Sequence, residues 1–422
     1  MRRWIGRLLG LALLGLLGYA AFAFFWGVPS VPDRPTARDA ETIAAGKYLA
    51  AAGDCTSCHT AEGGEKYAGG YPIDTPFGRL YSSNITPDPE TGIGGMTSAA
   101  FYQLIAFGAD SVLAPLYPAM PYTSFHYVTR EDSDALHAYF MSITPVNAPA
   151  EPNEMYFPLD IRPLMFGWNL LFASRESFRK NPQKDEAWNR GAYLVEGLGH
   201  CGECHTPRNL LGAMESGKAL AGATIEDFKA PDIRAQGLRA RGWNREDLAL
   251  YFETGASPQG SAFSEMFLAV KNSLRLLSHD DRMAIATYLV DSSKDTPTKG
   301  EAAVAALGDE VHVNKSGQAL YLSHCSLCHG PQGQGVPRTM PPLRGNSTLA
   351  EAGGINLIQV MAQGIPMQGM SQTLGYGPMP AFRDRLSDAE LASVANYVRS
   401  AFAPDAGDLP SLTAADVKKI LQ

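Results

Sequence analysis

All six cysteines of this 422-residue chain fall in three copies of one five-residue string: Cys55-Thr56-Ser57-Cys58-His59, Cys201-Gly202-Glu203-Cys204-His205 and Cys325-Ser326-Leu327-Cys328-His329. Two intervening residues set both sulfurs on one side of a single helical turn, with the histidine directly after them. This is the attachment pattern of c-type haem, in which the thiols add to the porphyrin vinyl groups and the imidazole becomes the proximal iron ligand. A redox dithiol or half of a zinc site also uses C-x-x-C, but neither needs a histidine after the second cysteine in every copy. A disulfide framework gives no reason for three such strings. The chain is therefore expected to hold three covalent haem c groups, on Cys55 and Cys58, Cys201 and Cys204, and Cys325 and Cys328, with His59, His205 and His329 on the irons.

The length leaves room for about three domains of ordinary size, which matches three motifs. Charged residues make up 18% of the chain and the net charge is −8, a balance that argues against nucleic acid as a partner. Residues Leu8 to Val28 form an uncharged run preceded by Arg2, Arg3 and Arg7. As a helix this run would reach roughly 31 Å, enough for a bilayer core. The charge bias predicts a cytoplasmic N-terminus at 1–7 and a transmembrane anchor at 8–28, with the remainder on the periplasmic side of the bacterial inner membrane. A cleaved secretory signal is the competing reading, and Ala21-Phe22-Ala23 offers a small-x-small site. The length of the run and its continuation through Phe24, Phe25 and Trp26 favour a retained anchor.

A glycine-aromatic lead-in precedes each motif: Gly46 and Tyr48, Gly191 and Tyr193, Gly317 and Tyr321. Glycine inside a helix costs around 1 kcal/mol against alanine, so its recurrence at equivalent places predicts close helix crossing. Three segments that open like capping boxes, at Thr129, Ser278 and Ser387, place a tyrosine ten residues later, at Tyr139, Tyr288 and Tyr397. These are the expected partner helices. In the first two repeats Gly95-Met96-Thr97 and Gly242-Trp243-Asn244 precede Gly108 and Gly255 by the same interval.

A glycine-aromatic helix, C-x-x-C-H, a loop with a methionine and a closing helix with an aromatic resemble class I cytochrome c, three times over. The resemblance implies a mainly α fold of three tandem class I cytochrome c domains behind the N-terminal transmembrane helix. It also implies that a loop methionine takes the sixth iron position, which raises the potential. Met120 and Met266 each follow their first motif cysteine by 65 positions. In the third repeat Met379 stands in Gly377-Pro378-Met379-Pro380-Ala381-Phe382, eight residues before Ser387, with Met370 as runner-up. His126, His137, His279 and His312 read as surface or capping residues. A proline soon after the motif histidine, Pro207 or Pro331, is expected to present its carbonyl to the free ring nitrogen, with Ala61 in that place in the first repeat.

The domains are then 41–149, 185–295 and 311–403. Linkers occupy 29–40, 150–184 and 296–310, and 404–422 forms a C-terminal tail. The apolar run Ile161–Phe172 is too short to span a bilayer and reads as packed between domains or exposed to a partner.

The order of the repeats and strings such as Asn84-Ile85-Thr86-Pro87-Asp88 resemble the triheme cytochrome c subunit of bacterial membrane-bound dehydrogenases, over nearly everything after Glu41. The resemblance implies an electron-transfer subunit that does not oxidise the organic substrate alone. Its implied partners are a catalytic subunit carrying pyrroloquinoline quinone, flavin or molybdenum, a small accessory subunit, the membrane, and ubiquinone or another respiratory acceptor. Two other readings stand beside it: a carrier feeding a haem-copper oxidase, and a multihaem peroxidase, which needs an exchangeable distal site. No dinucleotide loop, P-loop or nucleophile elbow stands out to activate an organic substrate.

Overall fold

The structure is a computed structural model that describes residues 28–109, 115–290, 314–336, 339–365, 378–403 and 409–422, with scattered positions before 28. The chain divides into two compact units, Met1–Lys180 with Glu196–His200, and Asn181–Val195 with Cys201–Gln422. The first holds one C-x-x-C-H motif and the second holds two.

Each motif is preceded by a helix that crosses a later one: α1 (Ala40–Ala52) crosses α2 (Arg130–Phe140), α3 (Glu186–Ala192) crosses α4 (His279–Val290), and α5 (Lys315–His324) crosses α6 (Asp388–Phe402). The crossing point is the predicted glycine in every case. A Cβ on Gly46 would fall on the Ala135 carbonyl and 2.8 Å from the Tyr139 Cβ. On Gly191 it would meet the Ala284 carbonyl and the Tyr288 Cβ, and on Gly317 the Ser393 carbonyl and the Tyr397 Cβ. The three tyrosines are those placed ten residues after Thr129, Ser278 and Ser387. Thr129 and Ser278 accept the N–H groups of Asp132 and Asp281, and Ser387 forms a reciprocal capping box with Glu390.

In the first unit Tyr67 packs edge-on against Phe140, at 5.2 Å between ring centroids, and Phe101 packs against the same ring. The strands β1 (Pro72–Thr75), β2 (Gly78–Tyr81) and β3 (Glu154–Met155) form an antiparallel sheet in that order. The segment read as a linker at 150–184 thus supplies a strand to this unit. Met165 and Phe166 of its apolar run are buried, whereas Phe157 and Leu171 are exposed. Residues before α1 are also tied down, through Arg34 to Asp134 at 2.6 Å and Gln103 to the Pro29 carbonyl at 2.8 Å.

In the second unit Arg190 of α3 donates twice to Asp281 of α4, at 2.8 Å each. The regions around the two motifs are joined directly. The Lys229 N–H donates to Asn356 Oδ1, whose Nδ2 returns a bond to the Lys229 carbonyl, both at 2.8 Å, and the Ser347 N–H donates to the Gln259 carbonyl at 2.7 Å. The tail is ordered onto α6: Asn396 pairs with the Leu412 backbone in both directions, and Val417 of the helix Ala414–Ile420 is fully buried.

The repeat read from Gly108 and Gly255 has a structural cause. Both residues end a helix in the left-handed region, at φ 67° and 76°, after helices capped by Thr97 and Asn244.

The expected N-terminal transmembrane helix is corrected, and with it the single-pass placement in the inner membrane. Among the described residues no helix is long and apolar enough to cross a membrane. The longest described, α6, has 15 residues, so it reaches only about 22 Å, and it carries Asp388, Glu390 and Arg399. Most of the run 8–28 lies outside the described residues, as does the linker 296–310.

Candidate haem sites

In each motif the two cysteines and the histidine occupy one short helical turn, Cys55–Cys58 closed by His59, Gly202–His205 after Cys201, and Ser326–His329 after Cys325. All six thiols are free of disulfides. Burial pushes the thiols of Cys55 and Cys201 up to about 12 and that of Cys325 up to about 11. A working redox dithiol needs the opposite shift, because the thiolate is its nucleophile. Among the described residues no three His, Cys, Asp or Glu side chains converge on a metal-sized site, so the motifs are not completed there as the four-ligand zinc site requires.

Each motif histidine is anchored in the same way. Nδ1 of His59 lies 2.7 Å from the Ser83 carbonyl, that of His205 2.8 Å from the Pro231 carbonyl, and that of His329 3.0 Å from the Pro341 carbonyl. Such a bond fixes the tautomer and leaves Nε2 for iron. Burial lowers the pKa of all three imidazoles, which keeps them neutral. The carbonyls differ from those expected. Pro207 instead accepts the Glu215 N–H, and the first motif has its anchor despite lacking a nearby proline.

The string around Asn84 follows the first of these carbonyls. Asn84 Oδ1 accepts from the Thr86 N–H and hydroxyl, its Nδ2 donates to the Val146 carbonyl at 2.7 Å, and Asp88 Oδ1 accepts the Thr91 N–H at 2.7 Å. The buried loop following Ser83 is therefore held at several points.

The third motif shows the site most fully. A cleft is lined by Cys325, Cys328, His329, Met340, Met379 and Phe382. Met379 is clamped, since its backbone exchanges both hydrogen bonds with Ile365 at 2.9 and 3.2 Å. Met340 precedes Pro341, whose carbonyl holds His329, so it belongs to the proximal wall. Met370 lies outside the described residues.

Met120 is half-buried in a turn whose flanks are braced by the 150–184 segment. Tyr117 donates to the Leu159 carbonyl at 2.9 Å, Tyr122 to Asn169 Oδ1 at 2.6 Å, and Arg162 to the Pro115 carbonyl at 2.7 Å. Met266 is half-buried in the helix Ser264–Asn272. His126 and His137, expected at the surface or as caps, are buried; His126 is the C-cap of the short helix Tyr122–Phe125, and His137 Nε2 lies 3.1 Å from the Met96 carbonyl. His312 lies outside the described residues.

Comparison with known proteins agrees with this chemistry. The cytochrome c family model matches residues 315–402. It matches that stretch alone, so the expectation of three cytochrome c domains is corrected to one identified by family, within a chain that repeats its helix crossing three times. The chain is 36% identical to the cytochrome c subunit of a quinone alcohol dehydrogenase from Gluconacetobacter polyoxogenes, over 95% of this chain and 88% of that one. It is 35% identical to the gluconate 2-dehydrogenase cytochrome c subunit of Pantoea cypripedii, over 97% and 93%. It is 42% identical to one of the subunits of nicotinate dehydrogenase from Pseudomonas putida over 95% of its own length, but spans only 34% of that protein. With the likeness running the length of two such subunits, the chain belongs to the family of dehydrogenase cytochrome c subunits, and its role is to carry electrons from a dehydrogenase.

Proposed function

We propose that the chain carries three covalent haem c groups, with His59 and Met120, His205 and Met266, and His329 and Met379 as the iron ligands, and that electrons pass along them to ubiquinone or another respiratory acceptor. The observation that carries this reading is the third cleft, where Met379 and His329 line one pocket with Cys325 and Cys328. Haem supplies the one-electron couple; the chain supplies attachment, neutral axial ligands and burial. The hydrogen-bonded imidazoles and the backbone bonds that hold Met379 would keep these residues in place toward a haem. A peroxidase needs an open distal position, and the presence of Met379 in one cleft with His329 speaks against one at the third motif.

The partner is a separate catalytic subunit carrying quinone, flavin or molybdenum, joined by a small accessory subunit. Its substrate is an alcohol, a sugar or sugar acid, or a heteroaromatic acid, by analogy with the relatives named for alcohol, gluconate, fructose and nicotinate dehydrogenases. Capture of the complex through the C-terminus, identification of the companion subunit and stepwise addition of candidate substrates test this. One substrate class reduces the haems; haems that stay oxidised with every substrate of the co-purified companion, or a companion that is a haem-copper oxidase, defeat the proposal.

A further inference from the structure

The third cleft is not closed by its own region. Part of its wall is made by Thr254, Gly255, Ala262 and Phe267, all from the stretch around the second motif. Phe267 directly follows Met266, on the helix Ser264–Asn272. The hairpin that precedes this helix is held by the Ala262 N–H to Gly255 carbonyl bond at 2.7 Å. Its tip is pinned to the third region through the Gln259 carbonyl and the Ser347 N–H. The double bond between Lys229 and Asn356, with the Lys229–Glu351 pair at 3.5 Å, fixes a second point of the same junction. Two separate anchors oppose any swing of the second region away from the cleft.

We infer that the third haem occupies a shared site, closed by Phe267 of the second region, and that the second and third haems form a fixed pair with the Met266-Phe267 step between them. This inference rests on the three-haem reading above and on Met266 as a ligand. The physical consequence is twofold. Electron tunnelling falls steeply with the gap between haem edges, so a rigid wall one residue away from an iron ligand sets a constant, short path. Phe267 also excludes water from the third haem edge, which favours the ferrous state because the ferric haem carries the extra charge.

The test uses full-length holoprotein in a spectroelectrochemical titration, with the third haem's wave identified by the displacement that a separate Met379→His change causes. Phe267→Ala is expected to lower the third haem's midpoint, so that its reduced-to-oxidised ratio at the wild-type midpoint falls about threefold to tenfold. The first haem is expected not to move, and the methionine-to-iron charge-transfer band of the second is expected to persist. Phe267→Leu, which keeps most of the volume, is expected to fall between the two and provides the reading if the alanine variant does not fold. Three haems with an unmoved third potential in the folded variants would overturn the shared site alone. Fewer than three haems per chain would overturn the underlying reading as well.

Discussion

Gly46 lies against Tyr139, with no room between the two helices for a single methyl group: a Cβ there would sit 2.8 Å from the tyrosine Cβ and collide with the Ala135 carbonyl. Gly191 with Tyr288 and Gly317 with Tyr397 repeat the arrangement. Backbone carbonyls cannot yield as a flexible side chain tip can, so the helices would have to part. Each of Gly46→Ala, Gly191→Ala and Gly317→Ala is expected to destabilise its crossing by about 1–3 kcal/mol, in denaturant unfolding of the holoprotein. Unchanged stability would mean that the two helices separate without cost.

The methionine assignments separate by position in the third cleft. Met379→His is expected to keep the third haem low-spin and to lower its midpoint, because imidazole favours ferric iron more than thioether does. Met340→Leu, on the wall behind His329, is expected to leave the sixth ligand in place. Resonance Raman of each redox state reads both, and a five-coordinate third haem in Met340→Leu would reverse the assignment.

Gly69 has φ 78°, and a Cβ there would lie 2.5 Å from the Ser83 carbonyl carbon. Gly69→Ala therefore pushes on the carbonyl that anchors His59. The expected result is a displaced midpoint for the first haem with the other two unmoved, since altered outer-shell contacts to a ligating imidazole change its basicity. A redox titration in which all three waves coincide with wild type would contradict this.

The α6 capping box gives a pH dependence with a definite sign. The Ser387 backbone N–H, donating at 2.9 Å, and then its hydroxyl hold the Glu390 carboxyl below its ordinary pKa. A group depressed in the folded state stabilises it fully above the unfolded value of about 4.3, and that contribution fades as pH falls through the folded value. Thermal unfolding of the second unit is expected to drop below about pH 4.5 more steeply in wild type than in Glu390→Gln. Parallel pH profiles for the two would show that the box contributes nothing.

Helix crossings were legible because they depend on local rules: a glycine where two backbones touch, a cap, and a tyrosine at fixed spacing. The grouping of two cysteines and a histidine in each motif was legible for the same reason, since one helical turn carries all three. What stayed hidden depends on distant segments. The carbonyls behind the imidazoles come from Ser83, Pro231 and Pro341, placed by loops whose path no local pattern dictates. The 150–184 stretch looked like a connector because its residues divide: Met165 and Phe166 bury within the first unit while Leu171 remains exposed, and a composition count averages them. Phe267 carries no local sign of its place, because the cleft that it lines belongs to the neighbouring region.

The most direct test of the account is the intact mass of the holoprotein, followed by peptide mapping of haem-bearing fragments. Three haems per chain, one on each pair Cys55 and Cys58, Cys201 and Cys204, and Cys325 and Cys328, is the predicted result. A chain with one or two haems, or a pair recovered as free thiols, would contradict it.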